Sequence, residues 1–313
     1  EQAALHRGNA LLVEAGPGTG KTQTLTSRVA SLLDEGIDPR KILLLTFSNK
    51  AAAEMADRIA KKNPEGAAAM WIGTFHSFGL DIVRRFRQEL GFEKDPRLLD
   101  RTEAVELLEE EFPRFGLKHY RNIYDPVQLI DSILDAISRA KDEVVDAANY
   151  RQLAIAMHEN AKSQNNLEKV EAAEKCLEIA EVYDAYERIK ESKQLIDFGD
   201  LVLRPVKLLE SHAAIRDKIA STYQHVLVDE YQDVNRSSVR LLKCLSPTGA
   251  NLWVVGDSKQ SIYRFRGASS FNMKRFGSDD FPGGQRLSLT VNYRSVPEIT
   301  EAFSNFAASM PHS

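Results

Sequence analysis

Apolar positions along the chain follow two rhythms. Short runs that are apolar throughout, NALLVEAG (9–16), KILLLTF (41–47) and AMWIGTF (69–75), alternate with longer amphipathic stretches. A run without polar alternation predicts a strand buried on both faces. The amphipathic stretches predict helices from Lys21 to about Glu35, from Asn49 to about Lys62 and from His76 to about Leu90. Strand then helix, repeated, is the pattern of a parallel sheet covered by helices on both faces, an α/β fold. Between about 92 and 195 the strand pattern stops, and Ala, Leu, Glu and Lys recur at helical spacing, as in LEKVEAAEKCLEIAEVYDAYERIK (167–190). YQHVLVDE (223–230), NLWVVGD (251–257) and QRLSLT (285–290) then restore the first rhythm. The expectation is one α/β domain interrupted by an all-helical insertion, with one loop-rich piece, GSDDFPGGQ (277–285).

Composition narrows the partners. The 313 residues allow one large domain or two smaller ones. With a formal net charge of −4 there is no global basic field, so any nucleic-acid binding has to rest on a local surface. Two cysteines, Cys176 and Cys244, fit neither a disulfide framework nor a zinc motif, which points to a reducing cytoplasm. No stretch approaches the ~18 apolar residues of a membrane span, and no signal-peptide pattern opens the sequence. The first residues, EQAALHRGN, read as the middle of a longer chain.

AGPGTGKT (15–22) joins a predicted strand to a predicted helix, the context a phosphate-binding loop needs. Ala15, Gly16 and Pro17 lead into the turn. The backbone N–H groups of Gly18, Thr19 and Gly20 would wrap phosphates at the helix N-terminus, Lys21 would reach the β and γ phosphates, and Thr22 would ligate Mg²⁺. Ala15 stands where the general pattern has glycine, and a small residue there still permits the turn. Such a loop needs an acidic partner on another strand. HVLVDEYQD (225–233) supplies one, ending in Asp229 and Glu230 at the strand's carboxyl edge. Asp229 suits a Mg²⁺ ligand and Glu230 the base that activates the attacking water. Together these motifs imply a nucleotide hydrolase of the P-loop class, with Mg²⁺ as cofactor.

VVGDSKQSIYRFRGAS (254–269) begins as a buried strand and then crowds rings beside guanidinium groups. On their own, Tyr263 and Phe265 fit a packed lobe as well as a stacking surface for bases.

Taken in order, these motifs resemble those of the UvrD/Rep-like superfamily 1 DNA helicases. The opening EQ is similar to the end of the family's adenine-reading motif, with Gln2 in that role, and AGPGTGKT and VDEYQD match its nucleotide motifs. LTFSNKAAAEM (45–55) and GTFHSF (73–78) resemble its DNA-holding loops, IDFGDLV (196–202) its return from the helical insertion, and LTVNYRS (289–295) its arginine motif. The resemblance implies a RecA-like ATP-binding lobe in two parts, 1–91 and 196–294, a helical subdomain at 92–195, and the start of a second lobe at 295–313. It further implies that Thr46, Phe47, Asn49, Thr74, Phe75 and His76 meet single-stranded DNA, and that Tyr263 and Phe265 stack on bases while Arg264 and Arg266 meet phosphates or form ion pairs. By the same resemblance Asp257 and Gln260 face the nucleotide, Tyr293 stacks on adenine, and Arg294 is the arginine finger. The implied activity is ATP-driven translocation on single-stranded DNA with 3′→5′ unwinding at duplex junctions, in repair, recombination or defence, with protein partners in such a complex. Lys259, in GDSKQSIY, is similar to the form in recombination-type helicase–nucleases, so the motor of such an enzyme is one alternative. A non-hydrolysing DNA-binding scaffold is another, which the intact Lys21, Asp229, Glu230, Gln260 and Arg294 oppose.

Overall fold

The computed structural model of the protein describes residues 1–120, 126–257, 259–260 and 270–308. In chain order its strands are β1 (Leu11–Ala15), β2 (Ile42–Thr46), β3 (Trp71–Thr74), β4 (Arg97–Leu98), β5 (Leu195–Ile196), β6 (His225–Val228), β7 (Leu252–Gly256) and β8 (Gln285–Leu289). The helices of its first part are α1 (Gln2–Leu5), α2 (Lys21–Asp34), α3 (Asn49–Ala60), α4 (Pro64–Ala69) and α5 (Phe75–Arg85). Then come α6 (Arg101–Glu109), α7 (Pro126–Asp142), α8 (Ala147–Ser163), α9 (Leu167–Ser192) and α10 (Asp200–Ser211). The last are α11 (Ala213–Thr222), α12 (Arg236–Leu245), α13 (Ser270–Arg275) and α14 (Pro297–Ala308). The chain forms two compact units, residues 1–78 with 206–313, and residues 79–205.

The first unit holds a six-stranded sheet in the order β3-β2-β6-β7-β1-β8, parallel throughout. Every run read as a strand in the sequence is a strand here. The inner strands β1, β2, β6 and β7 carry Leu, Ile and Val because both faces are covered. Edge strand β8 is half exposed and alternates accordingly. The core beneath the sheet gathers Leu11, Val13, Leu25, Val29, Leu44 and Trp253. The Trp253 indole donates to the Ala3 carbonyl at 2.9 Å, pinning α1 to this core. Local signals start the helices: the Ser48 hydroxyl accepts the Ala51 N–H at the head of α3, and the Asn235 side chain accepts the Ser238 N–H at the head of α12. A parallel sheet places all its strand ends at one edge, so Ala15, Thr46, Thr74, Asp229 and Asp257 come to the same rim.

The second unit is helical around Leu108, Ile130, Ile133, Ile137, Val182 and Tyr186. It takes in 92–195 together with the second half of α5 and the first half of α10. One detail departs from the expectation that strands vanish here: β4 and β5 form a two-residue parallel ladder, too short to leave a periodicity. A second departure is chemical. Lys141 and Lys190, 1% and 0% exposed, lie among three carboxylates. The Lys141 ammonium sits 2.7 Å from Glu187, 2.6 Å from Asp197 and 2.7 Å from Asp200. The Lys190 ammonium sits 2.8, 2.8 and 2.5 Å from the same three. Arg204 stands beside Asp200 at 3.7 Å. Burial alone would raise the Asp200 carboxyl, but Lys141, Lys190 and Arg204 outweigh it and hold it far below the usual carboxylate range. The carboxylates could in principle grip a metal ion; the two ammonium groups already supply the positive charge.

Candidate nucleotide site

The loop between β1 and α2 is built for an anion. Gly18 has φ +74° and Gly20 has φ +90°, left-handed values that L side chains rarely adopt. The Thr19 hydroxyl closes the turn on the Gly16 carbonyl at 2.7 Å. Gly20 is the N-cap of α2 and no side chain caps it, so the first turn presents its backbone donors with the positive end of the helix dipole behind them. Ala15 is buried as the last residue of β1 and Pro17 is half-buried; Lys21 and Thr22 open the helix.

Opposite stands the carboxyl edge of β6. Asp229 is buried, and its N–H extends the ladder to the Leu45 carbonyl at 2.9 Å. Glu230 follows in a left-handed conformation, φ +50°, which turns its side chain back toward the loop. The Glu230 carboxylate lies 3.3 Å from the Lys21 ammonium. Burial, then the charge of Glu230, pushes the Asp229 carboxyl up to about 6. The same causes push Asp233 up to about 6, and its buried Oδ1 has no hydrogen-bond partner. Asp229 and Asp233 each feel the charge of Glu230, and carboxylate oxygens of this kind suit a hard divalent ion.

The third wall is the turn after β8, at 292–295. The Asn292 side chain donates to the Pro17 carbonyl at 2.9 Å, while its Oδ1 accepts the N–H groups of Arg294 at 2.8 Å and Ser295 at 2.9 Å. The Tyr293 N–H donates to the Gly18 carbonyl at 2.9 Å. A Cβ on Gly18 would lie 2.6 Å from Asn292 Oδ1 and 2.8 Å from the Arg294 Cβ, so only glycine admits this approach. The Tyr293 ring is 80% exposed, and Arg294 is exposed beside it.

Residues 1–281 match the model of the UvrD/REP helicase N-terminal domain. The chain belongs to this family. Among relatives of the UvrD/REP domain, the ATP-dependent DNA helicase PcrA of Staphylococcus aureus is 33% identical over 293 residues, covering 93% of this chain and 37% of the relative. PcrA of Bacillus subtilis is 35% identical and that of Leuconostoc citreum 34%, each over 294 residues, 93% of this chain and 36% of the relative. The chain thus spans little more than a third of the length of the curated relatives it matches.

Within this UvrD/REP domain the remaining candidates fall in distinct places. Gln2 is exposed on α1. Phe47 is 48% exposed and Asn49 is exposed at the start of α3, so both face solvent at the rim. Thr46 is fully buried, and the Thr46 hydroxyl has no partner among the described residues. Thr74 and Phe75 are buried; the Thr74 hydroxyl bonds Ser77 at 2.8 Å and caps α5, and His76 is half-buried. Gln260 donates to Asp257 Oδ2 at 2.8 Å. Tyr263, Arg264, Phe265 and Arg266 lie outside the described residues. Two residues that sequence reasoning passed over stand at the centre of the site. Asn292 clamps the third wall, and Gln232 bonds both Glu230 and the Asp257 backbone. Both stand inside quoted motifs, VDEYQD and LTVNYRS, but an amide carries no chemistry that spacing alone would flag. No described helix is long and apolar enough to cross a membrane.

Proposed function

We propose that this chain is the ATP-binding half of a motor that moves along single-stranded DNA and unwinds duplex in the 3′→5′ direction. The observation that carries the reading is the Lys21–Glu230 pair at 3.3 Å, set in a UvrD/REP fold. Lys21 is placed to neutralise phosphate oxygens, and Glu230 to take the proton from the attacking water. Thr22 and Asp229 would hold Mg²⁺, which bridges the phosphates and offsets their charge when bound. Tyr293 offers an exposed ring for the adenine and Gln2 an amide for its edge. Arg294 would stabilise charge developing on the transferred phosphoryl group.

For DNA, Phe47, Asn49 and His76 are the reachable members of the two rim loops. Tyr263 and Phe265 would add sequence-tolerant stacking, which a translocating enzyme requires, and Arg266 a phosphate contact. Thr46, Thr74 and Phe75 would shape those loops from beneath. The helical unit would serve as the inserted subdomain, with residues 295 onward opening a second lobe, and the cytoplasm suits both free thiols. Strand displacement by the full-length protein tests the reading: ATP-dependent unwinding of a 3′-tailed but not a 5′-tailed duplex supports it, and no unwinding of either sinks it.

A further inference from the structure

We infer that Gln232 is the positioning residue for the base Glu230 and ties it to the turn that follows β7. Gln232 lies in the short 3₁₀ turn Tyr231–Asp233 and is 2% exposed. Its Nε2 donates to Glu230 Oε2 at 2.6 Å, and its Oε1 accepts the Asp257 N–H at 2.8 Å. The orientation of the amide is forced, because an ionised carboxylate can only accept and a backbone N–H can only donate. Gly256, the last residue of β7, leaves the room: a Cβ there would lie 2.6 Å from Gln232 Oε1.

The connection does not stop at Asp257. Its carboxylate accepts the Lys259 N–H at 3.0 Å and the Gln260 amide at 2.8 Å, and its carbonyl accepts the Gln260 N–H at 3.0 Å. An unbroken hydrogen-bonded chain therefore runs from Glu230 through Gln232 and Asp257 to Gln260. Its consequence for the base is specific. The same oxygen, Glu230 Oε2, is drawn by the Lys21 ammonium at 3.3 Å and by the Gln232 amide at 2.6 Å. Without the amide, nothing opposes the Lys21 ammonium, and the carboxylate is free to tighten its existing ion pair with Lys21 and turn away from a water. Gln232 never needs to touch nucleotide to do this; it acts through Glu230.

The inference rests on Glu230 being the base, and the test separates the two. Steady-state ATPase of the full-length protein is measured with saturating single-stranded DNA for wild type, Gln232→Leu and Gln232→Glu, alongside the affinity for a fluorescent ADP analogue. Gln232→Leu keeps the volume and removes the bonds to Glu230 and to the Asp257 N–H, together with the longer one to Asp233 Oδ2 at 3.4 Å. It should lower kcat by roughly 10- to 100-fold, the range expected for a bond to a charged group, with KM for ATP and ADP affinity within about twofold. Gln232→Glu keeps the length and the acceptor for the Asp257 N–H but turns a second carboxylate on Glu230. A purely structural role predicts near wild-type kcat for it, whereas positioning predicts a loss as large as that of Gln232→Leu. If Gln232→Leu fails to bind ADP, Gln232→Glu carries the test alone. Wild-type kcat in Gln232→Glu, or a change confined to KM, overturns the inference while leaving the function standing. A wild-type protein without turnover sinks both.

Discussion

Lys21 and Glu230 stand 3.3 Å apart, one from the loop after β1 and the other from the edge of β6, with strand β7 between theirs in the sheet. Neither is near the other in sequence; the parallel sheet alone brings the proposed phosphate-binding cation and the proposed base to one rim. Lys21→Ala should therefore abolish ATP-dependent activity of the full-length protein while the fold persists. Circular dichroism with a nucleotide titration checks this, and undiminished hydrolysis would remove Lys21 from the site.

Asn292 makes the second prediction. Its side chain bonds both the loop after β1 and the turn carrying Tyr293 and Arg294. Asn292→Leu should weaken ATP affinity about fivefold, the worth of one neutral hydrogen bond, with the loss read in KM more than in kcat. Equal ATP affinity in the variant would show that the turn holds its place without the clamp.

The buried ion cluster of the helical unit predicts a stability effect. Lys141→Met leaves Asp197, Asp200 and Glu187 short of one cation, and breaking a buried pair in this way costs about 3–5 kcal/mol. Urea unfolding of the full-length protein should show it, and a change below about 1 kcal/mol would mean that the cluster relaxes or hydrates freely.

The same cluster fixes a direction with pH. For both Asp197 and Asp200, burial favours the neutral form, and Asp200 adds repulsion at Asp197. The Lys141 and Lys190 charges prevail and hold both carboxyls low. A carboxyl lowered in the folded state contributes stability above its unfolded value, about 3.9, and loses it as pH falls toward the folded one. Unfolding free energy should then be flat across neutral pH in this respect and fall steeply below about pH 4. Lys141→Met should flatten that acid limb; an unchanged limb would assign it to other carboxylates.

Much of this was legible in the sequence, and what was not has physical causes. The strands of the sheet showed themselves because burial on both faces demands unbroken apolar runs, and the phosphate loop because left-handed turns demand Gly18 and Gly20. Asp229 and Glu230 followed from their place at a strand end. Gln232 and Asn292 were hidden because a carboxamide's role depends on which two groups it lies between, a tertiary fact. Lys141, Lys190, Asp197 and Asp200 carried no signal as a cluster because they lie on separate elements; only the close approach of α7, α9 and the 197–200 turn buries them together. Thr46 and Thr74 were expected to meet DNA, but their place at the ends of β2 and β3 buries both.

Phe265 and Tyr263 carry the proposed contact with bases. Phe265→Ala should cost ~1–3 kcal/mol of single-strand affinity, as direct stacking does. Fluorescence anisotropy with a labelled oligonucleotide reads it, and unchanged affinity would return both rings to the protein interior.

The central claim is that Glu230 takes the proton in an ATP hydrolysis stimulated by single-stranded DNA. The direct measurement is a single-turnover hydrolysis of ATP by the full-length protein, wild type against Glu230→Gln, with and without a single-stranded oligonucleotide, after confirming that both bind Mg·ATP. The account predicts hydrolysis accelerated by DNA in the wild type, and in Glu230→Gln a rate lower by about 10²–10⁴, the worth of general base catalysis, at undiminished affinity. Hydrolysis by Glu230→Gln at near wild-type rate would contradict it.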